Sequence, residues 1–251
     1  GLTQINVNGY ANPLAGYDPN LPWVKAETIY TYVTSWTKIV SNHTIKWGAD
    51  IRRIQDNNLQ LNTFGVRGVF TFTPGPTSLN GNPNTGFANS FASSLLVLPN
   101  SFGRDLPVIF PAIRQTQIFT YLQDKWQVSS KLTLDIGLRH ELYVPHTPPH
   151  TAGFSNYDPD TNRLIISGVG KNPNNLGRRT YTTDFAPRFG VAYRLNEKTV
   201  LRGGYGISYI PLLDGGNTFI FNFPVRQSIS FNAPNSFSAA GSMATGFPPP
   251  Q

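Results

Sequence analysis

Cysteine is absent from the 251 residues. That excludes disulfides, thiolate metal sites and cysteine nucleophiles. Charge is scarce as well: Asp, Glu, Lys and Arg together make up 13%, about half their usual share in soluble domains. No apolar run approaches the roughly 20 residues that a membrane helix needs. The longest, Leu95 to Leu98 with its neighbours, is far too short, so a chain like this crosses a membrane with strands or not at all. The formal charge is +7, yet no block of Lys or Arg forms. Single cations alternate with Gly, Thr and Asp, the pattern of one polar face of a sheet, and nucleic acid is not an expected partner. No signal peptide is visible. The sequence opens within a pattern, GLTQINVNGY, and we expect it to be a middle piece of a longer protein.

Glycine (23), proline (21) and aromatics (13%) are all well represented, which points to many strands separated by turns and loops. Three segments share one design, a strand, a tight polar turn and a second strand. The first hairpin runs from about Thr28 to Ile54 and turns at Ser41-Asn42-His43. Its second arm sets Ile45, Trp47, Ala49 and Ile51 on one face and Thr44, Lys46, Gly48, Asp50 and Arg52 on the other. The second hairpin runs from about Gln115 to Val144 and turns at Ser129-Ser130-Lys131. Leu132, Leu134, Ile136 and Leu138 oppose Thr133, Asp135, Gly137, Arg139 and Glu141, whereas the faces of the arm QIFTYLQDKWQV stay unassigned. The third runs from about Asp184 to Ile210 and turns at Leu195-Asn196-Glu197-Lys198. Phe189, Val191, Tyr193, Leu201, Tyr205, Ile207 and Tyr209 oppose Arg188, Gly190, Ala192, Arg194, Arg202, Gly204, Gly206 and Ser208. This is period-2 alternation throughout.

The segments between the hairpins, 55–114 and 145–183, are rich in Gly, Pro, Asn and Ser, and 211–251 reads as a further loop. Loops this long are uncommon in compact soluble domains. Short turns at one end and long loops at the other are the asymmetry of outer-membrane barrels, with the turns periplasmic and the loops extracellular. Within the loops, GFANSFASSLLVLP (86–99) suits a short helix, and FSNYDPDTNRLIIS (154–167) suits a hairpin over Asp158 to Asn162. The expected fold is therefore all-β, an antiparallel transmembrane β-barrel of which this chain holds about six membrane strands. The apolar rows would meet lipid. Trp36, Tyr143, Tyr193 and Tyr209 would suit an interfacial aromatic belt. The competing architecture is a soluble sandwich or propeller, in which the same apolar rows face a second sheet.

Four segments also carry a family resemblance. WTKIVSNHTIKWGADIRR (36–53), GFANSFASSLLVLP (86–99), YLQDKWQVSSKLTLDIGLRHE (121–141) and FAPRFGVAYRLNEKTVLRGGYGISY (185–209) resemble, in order, segments of TonB-dependent receptors. They resemble particularly the large acidobacterial type with a carboxypeptidase-regulatory-like domain before its plug. The resemblance implies a barrel of about 22 strands around a plug, with a TonB box coupling to TonB, ExbB and ExbD. It implies TonB-dependent uptake of a scarce nutrient, of the siderophore, cobalamin or oligosaccharide class. No plug-like segment precedes residue 28, so the plug is expected outside this sequence. Six strands are fewer than the about eight of the smallest barrel.

Candidate chemistry is sparse. His146 and His150 in HTPPH have prolines between them and lack a third ligand. Asp158, Asp160 and Asn162 open like a calcium loop, but Arg163 and Val169 stand where Gly and Glu are needed. The Gly-x-Gly of GGYGIS (203–208) lies in a strand without a following helix. Asn42-His43-Thr44 is a formal glycosylation sequon without meaning in a periplasmic turn. Asp135 and Glu141 share a face but stand roughly 20 Å apart along a strand, too far for a glycosidase pair. No catalytic residue, cofactor or metal is expected, and an enzyme is not the expected class. What remains is the lumen set: Lys46, Asp50, Arg52, Asp135, Arg139, Glu141, Arg188, Arg194 and Arg202. These would line the lumen and face a plug or a substrate path. Besides a transporter, two readings stand: a surface β-protein such as an adhesin or carbohydrate-binding module, and a passive porin.

Overall fold

The computed structural model describes residues 2–18, 21–61, 63–78, 87–210 and 219–249. In chain order, β1 (Gln4–Val7) precedes the long hairpin of β2 (Val24–Val40) and β3 (His43–Leu59). Next come β4 (Val69–Phe72), α1 (Phe87–Leu95) and β5 (Ser101–Pro107). A second long hairpin follows, β6 (Ala112–Gln127) and β7 (Leu132–Tyr143), then a small one, β8 (Ser155–Asp158) and β9 (Arg163–Ile166). The third long hairpin is β10 (Phe185–Arg194) with β11 (Val200–Gly206), and β12 is Arg226–Asn232.

Six strands form one antiparallel sheet in the order β11-β10-β7-β6-β3-β2. Each strand beyond the first pairs with the one before it among the long hairpins, an up-and-down meander. The sheet is open, and β2 and β11 are its edges. The turns are as tight as the sequence indicated. Ser41 takes a left-handed φ of 53°. Asn42 donates from Nδ2 to Gln127 O (2.9 Å), and its own carbonyl accepts from Gln127 N (2.8 Å), which ties two neighbouring turns together. The first hairpin exceeds the alternation that revealed it. Each arm is 17 residues, about 55 Å long at 3.3 Å per residue, when 9–11 tilted residues suffice to cross a bilayer. The surplus carries β2 and β3 beyond the membrane at the loop end.

A second sheet stands at that end. Its order is β1-β4-β5-β12, with β1 parallel to β4 and the other pairs antiparallel. Its strands come from the N-terminal segment, the 55–114 connection and the segment after 211, stretches without visible periodicity. Val7, Phe70, Phe72 and Phe102 form its core, with Tyr10, Phe231, Met243 and Phe247 packed around them. Phe102 stacks on Phe70 at 5.3 Å and on Phe231 at 4.9 Å. The carboxylate of Asp105, fully buried, accepts from the backbone N–H groups of Thr63, Phe64 and Gly65 (2.9–3.1 Å) and from Ser228 Oγ (2.6 Å). It thus ties β12 to the loop after β3. The expected helix forms as α1, and the expected hairpin as β8 and β9, with Asn162 at φ 52° in the turn.

Candidate functional site: the two faces of the long sheet

Residues directly opposite in an antiparallel ladder share a face, so the register assigns every side chain. Trp36, Trp47, Leu122, Leu138 and Pro187 form one cross-strand row; Ile45, Asp124, Ile136, Phe189 and Tyr205 form another. Together with Tyr32, Ile51, Leu134, Val191, Tyr193 and Leu201 they make one largely apolar face, broken by Asp124 near the turns and by Thr120 and His140 in the row of Ala49. Among the described residues no second sheet or helix covers it. Trp36 is 60% exposed, Leu122 57%, Ile136 48% and Phe189 48%. A soluble sandwich would bury this face, and monomers rarely expose patches above a few hundred Å².

The height of the apolar band carries the discrimination further. On β3 the same face begins at His43 and ends at Arg53, with only Ile45, Trp47, Ala49 and Ile51 between. Ten residues span about 33 Å along the strand, or about 25 Å of height at the 35–45° tilt of membrane barrels. That equals the apolar band of such barrels. At the turn end, His43 Nδ1 meets Asp124 Oδ2 at 2.7 Å and its ring stacks on Trp126 at 5.2 Å. At the loop end, Arg53 donates to Thr116 Oγ1 at 2.9 Å. Polar pairs therefore bound the band at both ends.

The opposite face is ionic. All nine residues of the predicted lumen set fall on it. They divide into two groups. Towards the loops the charges pair: Arg52 donates to Asp50 (Nη2–Oδ2 2.6 Å), and Arg139 Nε lies 3.0 Å from Glu141 Oε1. Phe119 stands between the pairs, 4% exposed, with the Arg139 guanidinium 4.7 Å and that of Arg52 5.4 Å from its ring centre. Glu141, also buried, accepts from Tyr143 OH at 2.8 Å. Gln117 and Gln115, both buried, join the same patch through a 2.9 Å bond. Beyond them Ile113 packs against Phe154 and Ile220, so folded loops sit over this end of the face.

Towards the turns lie Lys46, Asp135, Arg188, Arg194 and Arg202. Asp135 is held by Gln123 Nε2 at 2.8 and 3.0 Å. A trough of about 470 Å³ is lined by Tyr121, Gln123, Asp135, Arg139 and Arg188 among others. A second, of about 500 Å³, is lined by Lys125, Lys131, Arg194 and Arg202 among others. Phe119, Tyr121, Gln123 and Lys125 were not among the residues read from sequence. They sit on β6, whose alternation is blurred because Phe119 and Tyr121 face the charges while Thr120 and Asp124 face outward. The register of the neighbouring strands, rather than β6 itself, carries the signal.

Tyr143 differs from the aromatic belt expected for it. Its odd number puts it beside Glu141 on the ionic face, where its hydroxyl is used. Tyr209 lies past the end of β11 and donates to Phe185 O at 3.2 Å. Trp36 and Tyr193 do face outward.

The remaining candidates resolve into structural roles. Asp158 caps its own turn, accepting from Asp160 N (3.1 Å) and Thr161 Oγ1 (2.5 Å), and Asn162 accepts from Tyr157 OH (2.8 Å). His146 is half-buried under Arg178, which donates to its carbonyl at 2.6 Å. Burial, and next the Arg178 charge, hold its imidazole down, at about 4. Burial also lowers the Arg178 guanidinium, which lies 4.9 Å from the Phe219 ring centre. Among the described residues no group of three His, Asp or Glu converges as metal ligands.

Comparison with curated proteins and with solved structures gives no match. A family model described as "Outer membrane beta barrel domain" matches residues 1–251. A meander sheet with one bilayer-high apolar face and one ionic face is the architecture that description names, and the chain belongs to this family of bacterial outer-membrane β-barrel proteins.

Proposed function

We propose that this chain is a wall segment and loop cap of a TonB-dependent transporter that imports a scarce nutrient across the outer membrane. The observation that carries the reading is the pairing of faces on one sheet: an apolar band of bilayer height backed by nine ordered ionic side chains. Two edges, β2 and β11, await further strands, in keeping with a larger barrel. Of the four family-like segments, three lie on the wall hairpins β2–β3, β6–β7 and β10–β11, and the fourth is α1 in the loop cap, so the resemblance spans both wall and cap. The proposed partners are outer-membrane lipid, a plug domain of the same protein and, through it, TonB, ExbB and ExbD. The substrate is a siderophore, cobalamin or oligosaccharide. The wall itself has no catalytic role.

The test is uptake by cells that carry the complete gene. Accumulation of the nutrient should stop when the proton motive force is collapsed or TonB is deleted. Uptake that continues at an unchanged rate would mean a passive porin instead. A surface-binding role has one observation of its own. Tyr157, Leu164 and Phe223, all exposed, line a trough of about 550 Å³ between the β8–β9 hairpin and the segment before β12. Such aromatic shelves suit glycans. Glycan capture by a strain in which uptake is intact yet TonB-independent would favour this second role.

A further inference from the structure

The ionic face is electrically uneven. Its loop-side half is close to neutral, because Asp50 meets Arg52 and Glu141 meets Arg139. Its turn-side half holds Lys46, Lys125, Lys131, Arg188, Arg194 and Arg202 against one carboxylate, Asp135. Six cations against one anion leave +5 there, most of the chain's +7. Asp135 does not neutralise a cation; it is occupied by the Gln123 amide. None of the six cations makes a side-chain ion pair among the described residues. The chain's basic excess, scattered in sequence, is thus gathered on one surface by the period of two.

That surface is also hollow. The two troughs adjoin, sharing Asp135 and Gly190. They run from Arg139, level with Ala186, to Arg194. Eight residues of β10 make that about 26 Å. Gly137, Gly190 and Gly204 lie along this part of the face without side chains, and the cations stand up around them. Charges of one sign on low-dielectric walls focus their field into the space between them and raise the local concentration of counter-ions.

We propose that this cationic trough draws anionic solutes, those carrying carboxylate, phosphate or sulfonate groups, along the barrel wall, so that the imported nutrient is an anion. The proposal rests on the reading that this face lines the lumen, and it names the substrate class for that path. The loop-side ion pairs set the contrast. There the wall offers no net charge, so the pull begins where the pairs end, at Arg188 and Lys46, and strengthens towards Lys125, Arg202 and Arg194.

The test uses thiols introduced into these residues, which contain no cysteine, after any cysteine elsewhere in the complete protein has been replaced by serine. In the complete protein, in its native outer membrane, Ala192→Cys places one thiol in the row of Thr133 and Arg202. Thr133→Cys is the second position for the same row, should the first disturb folding. Thr31→Cys, level with Arg52, reports on the neutral half. Each thiol is reacted with two methanethiosulfonates of similar size, one bearing a sulfonate and one a trimethylammonium group. The rate ratio is corrected by that of a free thiol. At low salt, where screening is weak, the anionic reagent should be favoured about tenfold or more at residues 192 and 133, and near onefold at 31. Added Arg194→Gln and Arg202→Gln should collapse the preference. Equal rates, or faster reaction of the cation, would overturn the anion assignment while keeping the lumen. Silence towards both reagents together with labelling by a lipid-soluble maleimide would remove the lumen reading as well. Silence towards all three reagents would mean that a protein surface covers the trough, and would overturn the solute path in favour of an acidic partner.

Discussion

Leu122 and Val33 offer the sharpest test of which face meets lipid. Both are exposed aliphatic side chains, 57% and 65%. Leu122 lies on the outward face opposite Trp47, and Val33 on the ionic face opposite Asp50. Trp47 stands four residues from His43 and six from Arg53, so Leu122 sits near the middle of the apolar band. If that band is in hydrocarbon, Leu122→Arg should cost about 2–4 kcal/mol, the penalty for Arg at a bilayer midplane. Val33→Arg brings a guanidinium opposite a carboxylate in a wet lumen and should change stability by no more than about 0.5 kcal/mol. If both positions faced water, both variants would fall within that small range. The assay is reversible urea unfolding of the complete protein in lipid vesicles, followed by tryptophan fluorescence and gel mobility. A Leu122→Arg variant as stable as the parent, or a Val33→Arg variant that loses as much as Leu122→Arg, would refute the assignment of faces.

Three further expectations concern the loop cap. Phe102→Ala empties the centre of the small sheet and should cost about 3–5 kcal/mol locally, seen as faster proteolysis between residues 60 and 110 with membrane insertion unchanged. Asp105→Asn replaces a buried acceptor of four donors by a group that itself donates; at about 1–3 kcal/mol for each unsatisfied group, hydrogen exchange at Thr63, Phe64 and Gly65 should rise by one order of magnitude or more. His146 is held down to about 4, below its unfolded value of about 6.5, so its contribution to stability is complete above about pH 6.5 and is lost as pH falls towards 4. Proteolysis of the 145–183 loop should accelerate between pH 7 and 5, and His146→Gln should flatten that dependence.

The wall was legible in the sequence because its period is simple. Wherever one face is apolar and the other ionic, as in HTIKWGADIRR and KLTLDIGLRHEL, alternation alone yields strand, turn and facing, and all nine charged residues fall where it puts them. Tyr143 departs from the expected aromatic belt because parity outranks ring identity: an odd-numbered residue on β7 faces the charges whatever its ring. The arm β6 was half legible, since its outward row includes Thr120 and Asp124. The loop sheet was not legible. β1, β4, β5 and β12 are four to seven residues long, too short to establish a period. Their partners lie far along the chain: Phe231 pairs with Phe102, and Phe70 with both Ile5 and Phe102. Such pairings depend on shape, here the three stacked phenylalanines Phe70, Phe102 and Phe231, and no local rule reveals them.

The electrostatics of the wall and its open edges lead to one arrangement. Every residue of β2 is exposed, and alternate residues direct their N–H and C=O groups away from β3. Within a bilayer each such group left unpaired costs several kcal/mol, so an edge of even five residues would outweigh the whole stability of an ordinary domain. A sheet with this apolar face therefore enters lipid only with both edges paired. Closure bends the face that carries Lys125, Arg188, Arg194 and Arg202 inward and brings these cations closer together, which raises their mutual repulsion. With that face in the lumen, as proposed, counter-charge would be favoured at the turn end and not at the loop end, where Asp50 and Glu141 already supply it. The two demands act on the same strands: strand partners satisfy the backbone at the rim, and on the proposed reading anions would offset the side chains within.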